Sequence, residues 1–184
     1  MASPSTVHEY GSQLKIVMDD ATSFMAYPTL GGLWIVSSVS GGGSTPSGDR
    51  FVWPFDLSTV TDEYGNRDPY PYHNGIDFGV AGGSIVKVMG AGTVTISQTW
   101  QGGTSGMDAL GNYVRVDHGG GLLTGYAHME SSPPVSVGDV LVQQQNVGAV
   151  GDTGYSFGNH LHMETWENGT RINPRDWMNS YATT

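Results

Sequence analysis

Residues 158–165 have the sequence GNHLHMET, which places two of the chain's six histidines, His160 and His162, one residue apart. Side chains two positions apart in a helix point in different directions, whereas in a β-strand they project from the same face. The pattern therefore predicts a strand whose imidazoles face one side while Leu161 and Met163 face the other. The polar side either lines a cleft or is an exposed strand face that carries two histidines by chance.

The composition of the 184-residue chain is typical of a β-rich fold with many turns. Glycine occurs 28 times and charged residues make up only 13% of the chain, and the length is sufficient for one domain plus an additional segment. Because the chain has no cysteine, a metal ion would have to be bound by His, Asp or Glu. The net charge of −10 argues against nucleic acid as an electrostatically held partner.

Strand signals follow one another closely in the C-terminal two thirds of the chain. Short β-branched runs alternate with glycine-containing turns through residues 83–174, and helical periodicity is limited to a short turn within residues 173–181. This pattern predicts an all-β or β-dominated domain with an antiparallel sheet core and long loops.

The N-terminal part of the chain is predicted to be separate from this domain. Residues 37–49 are rich in Gly and Ser, as in flexible linkers, which divides the chain into residues 1–36, the linker and residues 50–184. Candidate strands lie in residues 12–20 and 32–39. This N-terminal piece is too small to form its own core, so we expect it to pack on the main domain or on a partner. We expect neither a secretory signal nor a membrane span.

The remaining polar candidates also lie at predicted strand ends and turns. His73 and Asp77 are four residues apart in PYPYHNGIDFGV, where prolines and glycines exclude a helix and a turn at Asn74-Gly75 would let the two side chains converge. His128 ends a predicted strand in GYAHM. Taken singly, each of these is more often structural than functional. As a set, five such side chains are hard to explain by packing: His73, Asp77, His128, His160 and His162.

The segments HNGIDFG, GYAHM and GNHLHME occur in the order of the three signature segments of the lysostaphin/LytM-type zinc endopeptidases, and the chain resembles this family over roughly residues 50–177. The resemblance implies the family's fold, an antiparallel β-sheet core with loops that wall an active-site groove. It also implies hydrolysis of peptide bonds in bacterial peptidoglycan, either in the stem peptides or in the cross-bridges.

The same resemblance assigns roles to the five side chains. It implies one zinc ion per chain, bound by His73, Asp77 and His162, and such a three-ligand set leaves a fourth position for water or substrate. It implies that His128 and His160 are catalytic, one as proton acceptor and the other as a donor to the oxyanion, with the order left open.

Other residues are candidates for substrate contact or for support of the metal ligands. Arg67 either positions substrate or braces a loop, and Glu164 either hydrogen-bonds the second nitrogen of a ligand or is an ordinary surface carboxylate. Tyr126 and Tyr155 either line the groove or pack in the core. Residues 98–112 are longer and richer in glycine than the usual connection in the family, which predicts a distinctive groove wall.

The resemblance to wall-degrading enzymes, together with the expected lack of a signal, favours a phage source. We expect a tail protein of the virion that the particle delivers to the bacterial cell wall, with residues 1–45 docked on other tail proteins. The alternatives are a free phage endolysin and a mainly structural tail-tip protein that retains the peptidase fold. A degenerate, purely regulatory domain is disfavoured because no ligand of the family's set is missing.

Overall fold

The computed structural model describes residues 4–10, 13–18, 23–28, 34–39, 51–67 and 70–182. The chain divides into two compact units, Met1–Gly48 and Asp49–Thr184. Within the described part of the chain, no helix has the length and apolar character needed to cross a membrane.

The first unit contains a four-stranded antiparallel sheet in which the strands follow one another in chain order. Its strands are β1 (Pro4–Tyr10), β2 (Gln13–Met18), β3 (Ser23–Pro28) and β4 (Trp34–Val39).

Only β2 and β4 were predicted in this unit. The sequences PSTVHEY of β1 and SFMAYP of β3 lack an apolar β-branched run, and their strand conformation comes from backbone pairing with neighbouring strands. Because β4 continues to Val39, the first three residues of the predicted linker, 37–49, are strand residues. Residues 40–50 lie outside the described part of the chain, so a linker over residues 40–49 stays a prediction.

The second unit is built around an eight-stranded antiparallel sheet, and it contains one α-helix within its described residues. Its elements are β5 (Val60–Asp62), β6 (Gly65–Arg67), β7 (Tyr70–His73), β8 (Ile76–Phe78), β9 (Ile85–Lys87), β10 (Gly92–Gln98), β11 (Asn112–Asp117), β12 (Leu122–Met129), β13 (Val140–Leu141), β14 (Asn146–Ala149), β15 (Leu161–Glu167), β16 (Thr170–Ile172) and α1 (Pro174–Tyr181). The sheet has the order β13-β10-β11-β12-β15-β8-β5, with β16 paired to β15. The prediction of a β-dominated antiparallel fold is therefore confirmed.

One face of the large sheet carries the hydrophobic core. Leu161 and Met163 of β15 are completely buried in this core together with Ile76 and Phe78 of β8. The alternation predicted for HLHM is confirmed, since the neighbouring residue His162 faces away from this core and towards His128 and Asp77.

Helix α1 closes the core at the C-terminal end of the chain. Asn173 caps the helix by accepting a hydrogen bond from the backbone N–H of Arg175 (2.9 Å), and Pro174 occupies the first turn, where its missing N–H has no cost. Trp177 is completely buried, stacks near Phe51 and donates its indole N–H to the carbonyl of Trp166 (3.2 Å). The short predicted turn is thus a helix that is held by its apolar face.

Candidate metal centre

The pairing of β8 with β15 brings Asp77 directly opposite His162. His73 reaches the same point from the end of β7, across the tight connection Asn74-Gly75. A Cβ atom at Gly75 would lie only 2.4 Å from the carbonyl oxygen of Met163 and 2.7 Å from Cε1 of His162. Glycine is therefore required at this position for the connection to approach β15 closely enough to place His73 beside the pair.

Three ligand-type atoms converge where these elements meet. His73 Nε2 lies 3.0 Å from Asp77 Oδ1 and 3.0 Å from His162 Nδ1, and His162 Nδ1 lies 2.8 Å from Asp77 Oδ1. Within the described residues this is the one group of three or more His, Cys, Asp or Glu side chains that could hold a metal ion. The structure thus brings together the three residues for which the resemblance implied metal binding.

The donor set fits a divalent metal ion. Two imidazole nitrogens and one carboxylate oxygen suit a tetrahedral site with bonds of about 2.0–2.2 Å, in which ligand atoms are roughly 3.3 Å apart. The observed separations of 2.8–3.0 Å differ from that value by only a few tenths of an ångström.

The ring orientation of both histidines is set by groups on their outer side. His73 Nδ1 lies 2.9 Å from the carbonyl oxygen of Glu63, to which it donates a hydrogen bond, so Nε2 is left to face the centre. His162 Nε2 faces Glu164 Oε1 at 3.6 Å. Glu164 is only 2% exposed and is held by Arg171, whose Nε lies 3.0 Å from the same oxygen. Such outer contacts fix the tautomer and direction of metal-binding imidazoles.

The three side chains also stabilise one another electrostatically in the absence of a metal. Burial acts to raise the pKa of Asp77, but hydrogen bonds from His162 and His73 outweigh it and hold this pKa well below its ordinary value. Burial acts to lower the pKa of His162, but hydrogen bonds and charges from Asp77 and Glu164 raise it to about 9. A metal ion must therefore displace a proton from His162 near neutral pH.

His128 and His160 form a second pair beside this cluster. Their ring centroids are 4.7 Å apart, and the His128 ring lies 5.7 Å from the His162 ring. In each residue Nδ1 lies 2.8 Å from a backbone carbonyl oxygen, that of Thr153 for His128 and that of Gly158 for His160. With Nδ1–H donating to a carbonyl, Nε2 is the nitrogen available for proton transfer in both rings.

Burial lowers the pKa of His128 to about 4, and the neighbouring charged His162 adds to this shift. His128 is consequently neutral near pH 7, with an unprotonated Nε2. His160 Nε2 lies 3.8 Å from Asp77 Oδ2, so it borders the cluster on the carboxylate side.

A groove of about 940 Å³ contains all five side chains. One part of its lining comes from a 3₁₀ helix, Gly106–Leu110, within the glycine-rich segment 98–112. Another part comes from the loop that carries Tyr155 and Phe157, whose rings contact each other edge to face at 5.2 Å. Phe157 is 92% exposed, so the groove has an apolar rim above a polar floor.

The other candidate residues occupy different environments. Tyr155 lines the groove and is exposed. Tyr126 is completely buried, and its hydroxyl accepts a hydrogen bond from the backbone N–H of Met89 (2.9 Å). The groove alternative for Tyr126 is therefore wrong, because alternation along β12 turns this side chain into the core, where burial raises its pKa to about 12. Arg67 ends β6, and its side chain lies outside the described structure.

Several contributors to the site were not predicted from the sequence. Phe157, Met107 and Arg171 line the groove, and an aromatic residue in the glycine-flanked segment YSFG was the one available signal for Phe157. The carbonyl groups of Glu63, Thr153 and Gly158, which orient the histidine rings, could not be predicted from the sequence, because every residue has a backbone carbonyl.

The chain is similar to several known proteins. Residues 71–174 match the model of peptidase family M23. Peptidoglycan DD-endopeptidase ShyC of Vibrio cholerae is 31% identical over 128 residues, which is 66% of this chain and 28% of that protein. The chain spans between 20% and 28% of the length of the curated relatives it matches.

Two solved structures are similar to the chain as well. The catalytic domain of lysostaphin from Staphylococcus simulans superposes with a TM-score of 0.53 at 29% identity, covering 65% of this chain and 91% of that one. A mutant catalytic domain of the prophage-encoded M23 protein EnpA from Enterococcus faecalis gives a TM-score of 0.56 at 29% identity, covering 64% and 88%.

Metal binding should depend on pH because of His162. Below its pKa of about 9 the metal-free protein holds a proton that the metal must displace, so affinity for Zn²⁺ should rise about tenfold per pH unit between pH 6.5 and 8. Chelator-competition titrations measure the slope, and calorimetry in buffers of different ionisation enthalpy counts the protons released. The His160→Ala variant should show the same slope. An affinity independent of pH over this range would contradict the assignment of His162.

Proposed function

This chain belongs to peptidase family M23, and on that premise we propose that it is a zinc-dependent endopeptidase that hydrolyses peptide bonds of bacterial peptidoglycan, in the stem peptide or the cross-bridge. The observation that carries this proposal is the convergence of His73 Nε2, Asp77 Oδ1 and His162 Nδ1 within 3.0 Å of one another in a groove. The similarity to ShyC, a peptidoglycan DD-endopeptidase, supports the substrate class.

Zinc is the metal that best suits these donors. The chain has no cysteine, and a set of two imidazoles and one carboxylate matches catalytic zinc sites, which keep a further position for water or substrate. Bound by His73, Asp77 and His162, zinc would act as a Lewis acid, which would polarise a peptide carbonyl and lower the pKa of a water molecule.

His128 is the proton acceptor in this proposal. Its Nδ1–H is engaged by the Thr153 carbonyl, so Nε2 is free to take a proton from the attacking water. His160 is held through Nδ1 by the Gly158 carbonyl. In its imidazolium form, Nε2–H would donate a hydrogen bond to the oxyanion of the tetrahedral intermediate and later a proton to the leaving amine.

The groove supports a peptide substrate bound in an extended form. Tyr72, Met107, Tyr155 and Phe157 give its rim exposed apolar surface, while the floor presents the polar cluster. Exposed aromatic side chains of this kind favour contacts with a ligand.

Digestion of purified peptidoglycan tests the proposed reaction. The zinc-loaded protein should generate new peptide amino termini that mass spectrometry identifies, a chelator should abolish their formation, and added zinc should restore it. Cleavage of glycan bonds, or cleavage that a chelator leaves unchanged, would overturn the proposal.

We further propose a virion location, on the tail of a phage, with residues 1–45 docked on other tail proteins. The similarity to a prophage-encoded M23 protein and the separate compact unit Met1–Gly48 support this proposal. A four-stranded sheet offers edge strands to which a partner sheet could add.

Substitution of single histidines should separate metal binding from catalysis. His162→Ala should lose the metal, whereas His128→Ala and His160→Ala should keep it and lose about 10²–10⁴-fold in kcat. Elemental analysis and steady-state kinetics on a synthetic stem or bridge peptide provide the two measurements. Near-native turnover of either His128→Ala or His160→Ala would show that its assigned role is wrong.

Glu164 should support the metal through His162. Replacing it by Gln removes the charge that faces His162 Nε2, so zinc affinity should fall about 10–100-fold. The matched control is Glu167→Gln on the same strand, because Glu167 bonds to Tyr181 and not to the cluster. Equal dissociation constants for Glu164→Gln and the native protein would contradict this support role.

Removal of the N-terminal unit should separate docking from catalysis. A protein that begins at Asp49 should keep its fold, its zinc and its activity on soluble peptides, yet be absent from purified phage particles by mass spectrometry. If the shortened protein precipitates, the first unit belongs to the folded core. If it enters the particles, the docking role is refuted.

A further inference from the structure

We propose that Asn112 and Thr153 form a clamp on the carbonyl group of Met129, the residue after His128, and that this clamp positions the His128 imidazole in the groove. The inference rests on the proposed function in treating His128 as catalytic. The clamp itself is defined by hydrogen bonds between side chains and backbone, and neither of its residues belongs to the metal cluster.

His128 needs such a device because strand alternation would turn it the wrong way. Tyr126 and Met129 of β12 are buried in the hydrophobic core, and Ala127 lies on the opposite face, with Tyr113 and Trp166. A regular strand would therefore point residue 128 towards the core, as it does residue 126. Instead the His128 ring packs against His160 and His162.

The reorientation results from a local break in the strand. The register between β11 and β12 shifts between Asn112 and Val114, and His128 has φ = 59°, a left-handed value that is uncommon for residues other than glycine. Such a conformation persists only where surrounding contacts impose it.

The clamp supplies these contacts. The carbonyl oxygen of Met129, next in the chain after His128, accepts hydrogen bonds from Asn112 Nδ2 (2.9 Å) and from Thr153 Oγ1 (2.7 Å). Both acceptor positions of this carbonyl are thereby used, so the peptide plane between Met129 and Glu130 cannot rotate without breaking two bonds.

Both clamp residues are themselves held in place. Thr153 Oγ1 accepts from the backbone N–H of Asn112 (3.0 Å), and Asn112 Oδ1 accepts from the backbone N–H of Trp100 (2.8 Å). A Cβ atom at Gly111 would lie within 2.5 Å of the Thr153 backbone, so glycine at 111 permits the close approach of the two segments.

Thr153 acts on His128 at two points. Its hydroxyl donates to the carbonyl of Met129, the residue after His128, and its carbonyl accepts from His128 Nδ1 at 2.8 Å. One residue thus determines both the direction of the ring and the nitrogen that carries the proton. Thr153 and Asn112 are positioning residues, since neither lines the groove itself and Thr153 acts through His128.

The test compares Thr153→Val, which removes the hydroxyl at nearly constant shape, with Thr153→Ser, which keeps it. The control is Thr165→Val, which removes an equivalent hydroxyl bond to the carbonyl of Ile172 (2.9 Å) far from His128 in the sequence. All variants are made in the full chain and loaded with zinc. Four quantities are measured: zinc content, kcat and KM on a synthetic peptide, and the His128 tautomer from long-range ¹H–¹⁵N spectra.

Thr153→Val is expected to keep its zinc and its KM within about twofold, and to lose about 10–100-fold in kcat, as for a misplaced catalytic group. Its His128 spectrum should lose the single Nδ1–H signature of the native protein. Thr153→Ser should restore most of the kcat and the Nδ1–H signature of His128. Thr165→Val should change neither kcat nor the His128 spectrum.

An unchanged His128 spectrum in Thr153→Val would overturn the clamp, as would failure of Thr153→Ser to restore it or an equal kcat loss in Thr165→Val. If the native protein cleaves no peptide, the proposed function fails, and the spectra of the same variants still decide the clamp.

Discussion

The antiparallel pairing of β8 with β15 is the interaction on which the candidate site depends. It places Asp77 opposite His162, and the buried apolar partners on the other face, Ile76, Phe78, Leu161 and Met163, hold this register. A slip of one residue would turn His162 into the core and Leu161 into the groove. The hydrophobic core therefore determines the geometry of the polar cluster behind it.

The cluster of His73, Asp77 and His162 balances the cost of burial against mutual electrostatic attraction. Three ionisable side chains lie close together with little exposure, which is costly unless they bond to one another. The depressed pKa of Asp77 and the raised pKa of His162 reflect that mutual compensation. A divalent cation would take over the role of the protons, while Glu164 and the Glu63 carbonyl continue to orient the two rings.

Features of the site that follow from neighbouring residues in the chain could be predicted from the sequence. Alternation in HLHM predicted the shared direction of His160 and His162, and the prolines and glycines around His73 predicted an extended approach followed by a turn. Prediction failed where the cause is not local. The sequence left Tyr126 either in the groove or in the core, because which face of β12 meets the core depends on its pairing with distant strands. The left-handed backbone at His128 is accompanied by a hydrogen bond from Thr153, a residue distant in the sequence, to the carbonyl of Met129. Strands β1 and β3 were missed because pairing partners, and not their own side chains, define them.

The central claim is that His73, Asp77 and His162 form one metal site, and anomalous diffraction tests it most directly. Crystals of the full chain grown with zinc should show, above the zinc absorption edge and not below it, one strong peak bonded to His73 Nε2, Asp77 Oδ1 and His162 Nδ1. A zinc peak bound by other residues, or these three side chains splayed apart around an empty centre in zinc-replete crystals, would contradict the account.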